Sequence, residues 1–290
     1  MSESYTEKAL RVSITIDDGS SGGTQMVFTD NAMSVHIQKQ GAPELPRANV
    51  EIYGLSERQM AQLTMLSFDA LSLKRNVIEI AAGEKGGEMS TIFQGEIMNS
   101  APDMNAAPSP VMRIEAITAA YPKLIPLGPQ AVSGEQTVDS IMQGLAAQAG
   151  LTYRSHGITT SLKDCVINGD PITKARWVAD TIGADLVIDD TEMALVATNA
   201  ARGDAVSVEA VDVIDPSTGE IGYPSFDSMG IRVVCFFRPE LNVCGLMRIS
   251  SSMPRASGVW KIFTVNHDLA ANMPGGGPWR TTAAGTWMES

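Results

Sequence analysis

Hydrophobic alternation with a period of two constrains this chain more than any other feature. In "ALRVSITID" (9–17), "QMVFTD" (25–30), "AMSVHIQKQ" (32–40) and "ANVEIYGL" (48–55), β-branched and aromatic residues recur at every second position. That spacing puts the apolar side chains on one face of an extended strand. "NVIEIAAGEKGGEMSTIFQGEIMNS" (76–100) reads as a hairpin turning around residues 83–87, and "VMRIEAIT" (111–118) as a further strand beyond the "APDMNAAPSP" loop. One helix interrupts the series: Ser56 is its N-cap, and Met60, Leu63 and Leu66 share a face. Many short strands divided by turn signals predict a barrel or a sandwich.

Residues 121–204 change character. "GEQTVDSIMQGLAAQAG" (134–150) places Val138, Ile141, Met142 and Leu145 at helical spacing and ends on Gly150 as a C-cap. A short strand, "LTYR", follows, and another starts at Cys165. Asp170 then caps a helix with Pro171 at its first position, and Ile172, Ala175, Val178 and Ile182 line one face before Gly183 stops it. "DLVIDDTEMALVAT" (185–198) reads as a strand pair turning at Asp189–Thr191. From about 205 strands return, in "AVSVEAVDVID", "GIRVVCFF", "GLMRISSS" and "GVWKIFTVNHDL". The expected division is therefore 1–120 (β), 121–204 (α+β) and 205–290 (β): a mainly β chain with an α+β insert.

Length and composition agree with this. A chain of 290 residues corresponds to about two domains, and 44% apolar residues suffice for ordinary cores. The apolar runs are far shorter than the roughly 20 residues a membrane helix needs, so no membrane insertion is expected. "MSESYTEKAL" lacks the basic start and apolar core of a signal peptide, which points to synthesis and retention in a cytosol. Cys165, Cys235 and Cys244 are too few, and too far from zinc spacing, for a disulfide framework or a structural zinc. A formal charge of −12 disfavours wrapping nucleic acid, which needs phosphate neutralisation, yet suits a wall past which nucleic acid slides.

The motifs that carry chemistry are missing or reduce to turns. There is no GxSxG, and the three histidines, His36, His156 and His267, stand in strands or turns away from any nucleophile elbow. Asp17–Asp18 and Asp189–Asp190 are adjacent pairs at expected turns, where aspartate bonds its own backbone. "DPSTGE" (215–220) has turn spacing and not that of a calcium loop, and "GSSGGT" (19–24) lacks the ending of a phosphate loop. In "VNHDLAANMPGGGPWRTT" (265–282) a strand follows the glycines where an anion site wants a helix, and the two prolines remove donors. The stretch reads as a loop with Trp279 packed beneath it. No catalytic residue, cofactor or metal ligand is expected.

The C-terminal third carries a resemblance. "GEIGYPSF" (219–226), "GIRVVCFFRPELNVCGLMRISSS" (230–252) and "GVWKIFTVNHDLAANMPGGGPWRTT" (258–282) hold an IGYP turn, then strand, RPEL, glycine, strand, and a W-x-I-x-x-V-x-H-x-L strand ahead of PGGGPW. In that order they resemble the central baseplate hub proteins of contractile-tailed and Mu-like phages and prophages. "ANVEIYGLSERQMAQLTMLSF" (48–68) is similar to the first domain of such proteins.

The resemblance implies two tube-like β-barrel domains of the T4-type hub, flanking a small α+β domain. It implies a virion component of the tail baseplate: a homotrimeric hub without enzymatic activity, made in the host bacterial cytoplasm. Such a hub joins the hexameric tail tube to the trimeric spike and forms part of the DNA-ejection channel. Its partners would be further copies of itself, the tail tube or distal tail protein, the spike and the tape-measure protein, with DNA in transient, non-specific passage. A trimer meets a sixfold tube only when each subunit presents two equivalent docking surfaces. Two other classes compete. One is a tail-associated peptidoglycan hydrolase with its site in the α+β segment, which offers His156, Asp164, Asp170, Asp180, Asp185, Asp189, Asp190 and Glu192. The other is a host-surface binding module, for which 6% aromatic residues is a thin supply of sugar-stacking platforms.

Overall fold

A computed structural model describes residues 7–17, 23–65, 75–105, 110–124, 127–203, 211 and 213–288. Asp18, Leu66, most of the 19–24 loop and most of the expected 205–215 strand lie outside the described residues. The chain is mainly β with few helices, and divides into two compact units that interleave along the sequence. The first comprises Met1–Ile37, Arg47–Thr118 and His267–Trp279; the second comprises Gln38–Pro46, Ala119–Asn266 and Arg280–Ser290.

The first unit is an antiparallel sheet. Its strands are β1 (Lys8–Ile16), β2 (Thr24–Phe28), the first part of β3 (Met33–Gln40), β4 (Arg47–Tyr53), β5 (Val77–Glu84), β6 (Met89–Asp103) and β7 (Val111–Ile117). The order β2-β1-β5-β6-β7-β4 follows from the pairings. Register explains the burial. Leu10, Val12 and Ile14 of β1 stand opposite Ala82, Ile80 and Ile78 of β5, and all six side chains are buried. Each of the Leu, Val and Ile side chains, taken fully from water, contributes about 1.5–3 kcal/mol. A β-bulge in β6 between Ile97 and Asn99 shifts the register against β7. Beyond the bulge the strand runs on to Asp103, so part of the expected "APDMNAAPSP" loop is strand, with Pro102 opposite Met112.

Helix α1 (Glu57–Leu63) has a full capping box: the Ser56 hydroxyl accepts from the Gln59 amide, and the Gln59 side chain accepts from the Ser56 amide. Met60 and Leu63 are its buried residues.

The second unit holds β8 (Gln130–Thr137), α2 (Val138–Ala149), β9 (Thr152–His156), β10 (Ser161–Ile167), α3 (Pro171–Ile182), β11 (Ala184–Asp189) and β12 (Glu192–Ala197). It continues with β13 (Val213–Ile214), β14 (Ser225–Asp227), β15 (Gly230–Phe236), β16 (Leu246–Ile249) and parts of β17 (Gly258–Ala271) and β18 (Trp279–Trp287). Helix α3 begins as its sequence dictates: the Asp170 carboxylate accepts from the Ile172 and Thr173 amides, and Gly183 closes the helix at φ +67°. Helix α2 starts at Val138, the first residue of its expected apolar face, after residues 134–137 finish β8, paired with β10. The two helices pack on each other, α2 against β9 and α3 against β11. Val187, Ala194 and Val196 of β11 and β12 share one core with Ile231, Val233, Met247, Trp260 and Ala283.

Candidate assembly surface

The side chains weighed for chemistry are dispersed, and most hold structure. His36 Nδ1 lies 2.6 Å from Asp268 Oδ1 in an exposed cross-strand pair, whereas the neighbouring His267 is buried. Alternation along β17 sends His267 and Asp268 to opposite faces, so they form no dyad with each other. Asp164 accepts from the Gly134 amide, Asp170 caps α3, Asp180 pairs with Arg176 along the helix, and Asp185 pairs with Lys261 at 2.9 Å. Asp215 accepts from Ser217 and Thr218, and these bonds hold its carboxyl below the usual value, as in an ordinary turn. Among the described residues no three His, Cys, Asp or Glu side chains gather as a metal site.

One expectation needs correcting. Asp189 does not cap a turn; its carboxylate is 4% exposed and carries two cations. Lys39 Nζ, itself 4% exposed, is 2.7 Å from Asp189 Oδ1 and 3.7 Å from Asp190 Oδ2. Arg202 Nη1 is 2.9 Å from Asp189 Oδ2, and its Nη2 is 3.0 Å from Glu192 Oε1. Arg154 adds a contact of 2.8 Å to Glu192. Burial alone would raise the Asp189 carboxyl, but the charges of Lys39 and Arg202 outweigh it and hold it below the ordinary value. A backbone bond from Ala42 to the Leu186 carbonyl (2.9 Å) lies beside this cluster and ties residues 38–46 to β11. The cluster is a clasp within the second unit.

Part of the outer face of the C-terminal sheet is open to solvent. Ile231, Val233 and Cys235 of β15 point inward and are buried, so Arg232, Val234 and Phe236 point outward. Across the ladder Ala284, Thr282 and Arg280 of β18 stand directly opposite those three. On the other edge Ile221 donates to the Val234 carbonyl and Glu220 bridges Cys235, which places Ile221 beside Val234 on the same face. Phe236 is 63% exposed, Ile221 is 40% exposed, and Arg232 and Arg280 are exposed. Singly exposed apolar side chains are ordinary, but Phe236, Val234 and Ile221 are neighbours across the ladder and so form one patch. Sequence reasoning missed this face, although the alternation in "IRVVCFF" carried the signal.

A second feature lies at the end of β18. The Trp287 ring meets Trp260 edge-on, with centroids 5.0 Å apart, and Trp260 meets Phe226 at 6.5 Å. Gly258 makes room for it, since a Cβ there would lie 2.7 Å from a Trp287 ring carbon. The indole is thus held in place yet 54% exposed, on the rim of a cleft of about 700 Å³ lined by Thr159, Thr160, Asn199 and Thr286.

The architecture is that of tail proteins. It is similar to the tail protein from Neisseria meningitidis MC58, at 11% identity over 96% of this chain and 95% of that one, with a TM-score of 0.63. It is also similar to the 43 kDa tail protein of prophage MuSo2 from Shewanella oneidensis, at 8% identity over 96% of each chain and a TM-score of 0.62. A third similar structure is the E. coli c3393 protein, a type VI secretion system component with structural similarity to the T4 bacteriophage tail proteins gp27 and gp5. That likeness has 7% identity over 94% of this chain and 76% of the other, with a TM-score of 0.56. At such identities the fold is what is shared. No curated protein matches by sequence. Residues 9–274 match the baseplate hub gp41 family, and the chain belongs to that family.

Proposed function

We propose that this baseplate hub protein works as a homotrimer that joins a hexameric tail tube to a trimeric spike. The observation that carries the reading is the family match over residues 9–274, which takes in strands of both units. In this reading residues 1–120 and 205–290 supply two tube-like β-barrel domains that close in the assembled ring, and residues 121–204 form the insert between them. Closure across copies removes exposed strand edges. Six quasi-equivalent docking surfaces, two from each of three subunits, then match the tube. The partners are other copies, the tail tube or distal tail protein, the spike and the tape-measure protein. The net charge of −12 suits a channel wall from which DNA phosphates are repelled during ejection.

The test is solution mass over a range of concentrations, together with electron microscopy of the chain mixed with its tube and spike proteins. A threefold ring that caps the tube is the expected result. A chain that stays monomeric alone and with both partners overturns the proposal. Replacing lumen-facing acids with glutamine should slow DNA release, and unchanged release kinetics would remove the electrostatic part.

A further inference from the structure

The cleft beside Trp287 has a volume of about 700 Å³, within the range of small-molecule sites, and all its lining residues belong to the second unit. Its floor is tied down by hydrogen bonds. The Ala200 amide bonds the Ala197 carbonyl, closing a turn that carries Thr198 and Asn199. The Thr198 hydroxyl donates to the Gly183 carbonyl at 2.7 Å, which fixes that turn to the end of α3. Lys261 Nζ donates to Asp185 at 2.9 Å and to the carbonyls of Ala197 and Thr198 at 3.2 Å each. Those bonds use all the hydrogens of the ammonium. Gly157 brings the loop between β9 and β10 close to the same turn: at φ +75°, a Cβ there would lie 3.2 Å from the Ala200 Cβ. One wall is the Trp287 ring, 54% exposed and seated edge-on with Trp260.

The lining offers hydrogen bonds and an aromatic face but no usable charge. It holds no Asp, Glu or Arg, and its one cation, Lys261, is spent on Asp185 and two carbonyls. Thr159, Thr160, Asn199 and Thr286 are exposed in it, and among the described residues their side chains bond nothing else in the chain. An anion finds no free cation here, and a cation finds no carboxylate. A wholly apolar ligand would strip water from these polar side chains and replace none of their bonds. We propose that the cleft binds an uncharged glycan, with one pyranose ring stacked on Trp287 and its hydroxyls met by the Thr and Asn side chains of the lining. A pyranose presents a face of C–H bonds, which carry partial positive charge and match the negative face of an indole. Its rim of hydroxyls both donates and accepts, as the lining does. An indole already held in place loses little freedom on binding. Glycoside hydrolysis needs two carboxylates flanking the bond; the lining supplies none, so the cleft holds a glycan without cutting it. This inference stands apart from the homotrimer reading and does not rest on it.

The experiment is saturation-transfer difference NMR on the full chain. The probes are neutral tetramers of β-1,4-linked N-acetylglucosamine, α-1,4-linked glucose and β-1,4-linked mannose, with acidic tetragalacturonate beside them. Wild type is compared with Trp287→Ala and with Asn199→Ala/Thr286→Val, each checked for an unchanged melting temperature. The second variant leaves the Trp287–Trp260 packing in place, so it reads the site even where Trp287→Ala fails to fold. The expected result is transfer to at least one neutral tetramer, strongest at ring C–H protons, with a Kd that added salt leaves unchanged. That Kd rises on the order of tenfold or more in Trp287→Ala and several-fold in Asn199→Ala/Thr286→Val. No transfer to any neutral tetramer at about 10 mM overturns the proposal. Equal binding by all the proteins puts the glycan elsewhere and overturns it too, and a preference for tetragalacturonate refutes the uncharged ligand. New reducing ends would refute binding without cleavage. A Trp287 that ignores every glycan but is covered when tube or spike protein is added marks a protein-docking site, which likewise overturns the assignment.

Discussion

Asp189→Asn should unfold the second unit more easily than Lys39→Met, because the carboxylate serves two cations, whereas without Lys39 it still keeps Arg202. Asp189 holds Lys39 at 2.7 Å and Arg202 at 2.9 Å, with both partners of the first pair about 4% exposed. Asparagine leaves Lys39 buried, with Asp190 at 3.7 Å as the remaining carboxylate given among the described residues. Stranding a buried charge in this way costs about 3–5 kcal/mol. Methionine at position 39 removes one cation, but Asp189 keeps Arg202, so the loss is closer to one charged hydrogen bond, about 1.5–3 kcal/mol. The double variant Lys39→Met/Asp189→Asn should cost less than Asp189→Asn alone, because its worst consequence, the orphaned ammonium, is gone.

Urea unfolding followed by tryptophan fluorescence reads this directly, since Trp177, Trp260 and Trp287 all belong to the second unit. For Asp189→Asn the midpoint should fall on the order of 1–3 M in urea. The pH dependence has a definite sign. The folded carboxyl titrates below its unfolded value, so its contribution is present above pH about 4 and is lost as the pH falls through the lower, folded value. Asp189→Asn should flatten that acid limb. Two single-variant costs that simply add, or an Asp189→Asn cost under about 1 kcal/mol, would refute the clasp as described.

Three further outcomes are expected. Burial pushes the thiols of Cys235 and Cys244 up to about 11, so at pH 8 only about one in a thousand is thiolate; in the native protein neither should react with iodoacetamide over hours, while both react in urea. Asp170→Ala removes the acceptor of the Ile172 and Thr173 amides and should lower stability by about 0.5–2 kcal/mol, with Asp170→Ser recovering most of the loss in the same urea titration. Gly258→Ala combines φ +148° with a Cβ 2.7 Å from the Trp287 ring, so it should unseat Trp287 and shift its fluorescence toward that of solvated indole.

How much of this was legible in the sequence depends on whether neighbours in space were neighbours in the chain. The alternation of Leu10, Val12 and Ile14 named β1 and its buried face, and the caps Ser56, Asp170, Gly150 and Gly183 fixed helix ends, because each rule acts within a few residues. Strand β8 was hidden: "GEQT" is polar, and its pairing partner "SLK" stands well beyond the next helix. The buried clasp was hidden for the same reason. Asp189–Asp190 looks like a turn from either side, and nothing local says that Lys39 and Arg202 will reach it. The outer face of β15 was readable in principle, but alternation says only that two faces differ and leaves open which of them a partner covers.

The hairpin between β17 and β18 shows why a sequence can point to assembly and yet resemble a catalytic loop. "HDLAANMPGGGPW" offers a histidine, a carboxylate and a glycine run, yet each is placed by backbone geometry. His267 and Asp268 diverge because the strand alternates, and Asp268 reaches across to His36. The Ala270 amide bonds the Pro278 carbonyl at 2.8 Å, which closes the hairpin, and Gly276 turns within it at φ +72°. A Cβ on Gly277 would lie 2.4 Å from the Ala270 Cβ, so the two strands could not approach as they do. Glycine is required here by contact and conformation, and the anion site that such a run suggests would need a helix where Trp279 instead starts a strand. Signals of this kind specify where backbones meet. Arg232 and Phe236 obey the same rule, since alternation along β15 sends them outward while Ile231, Val233 and Cys235 turn into the core.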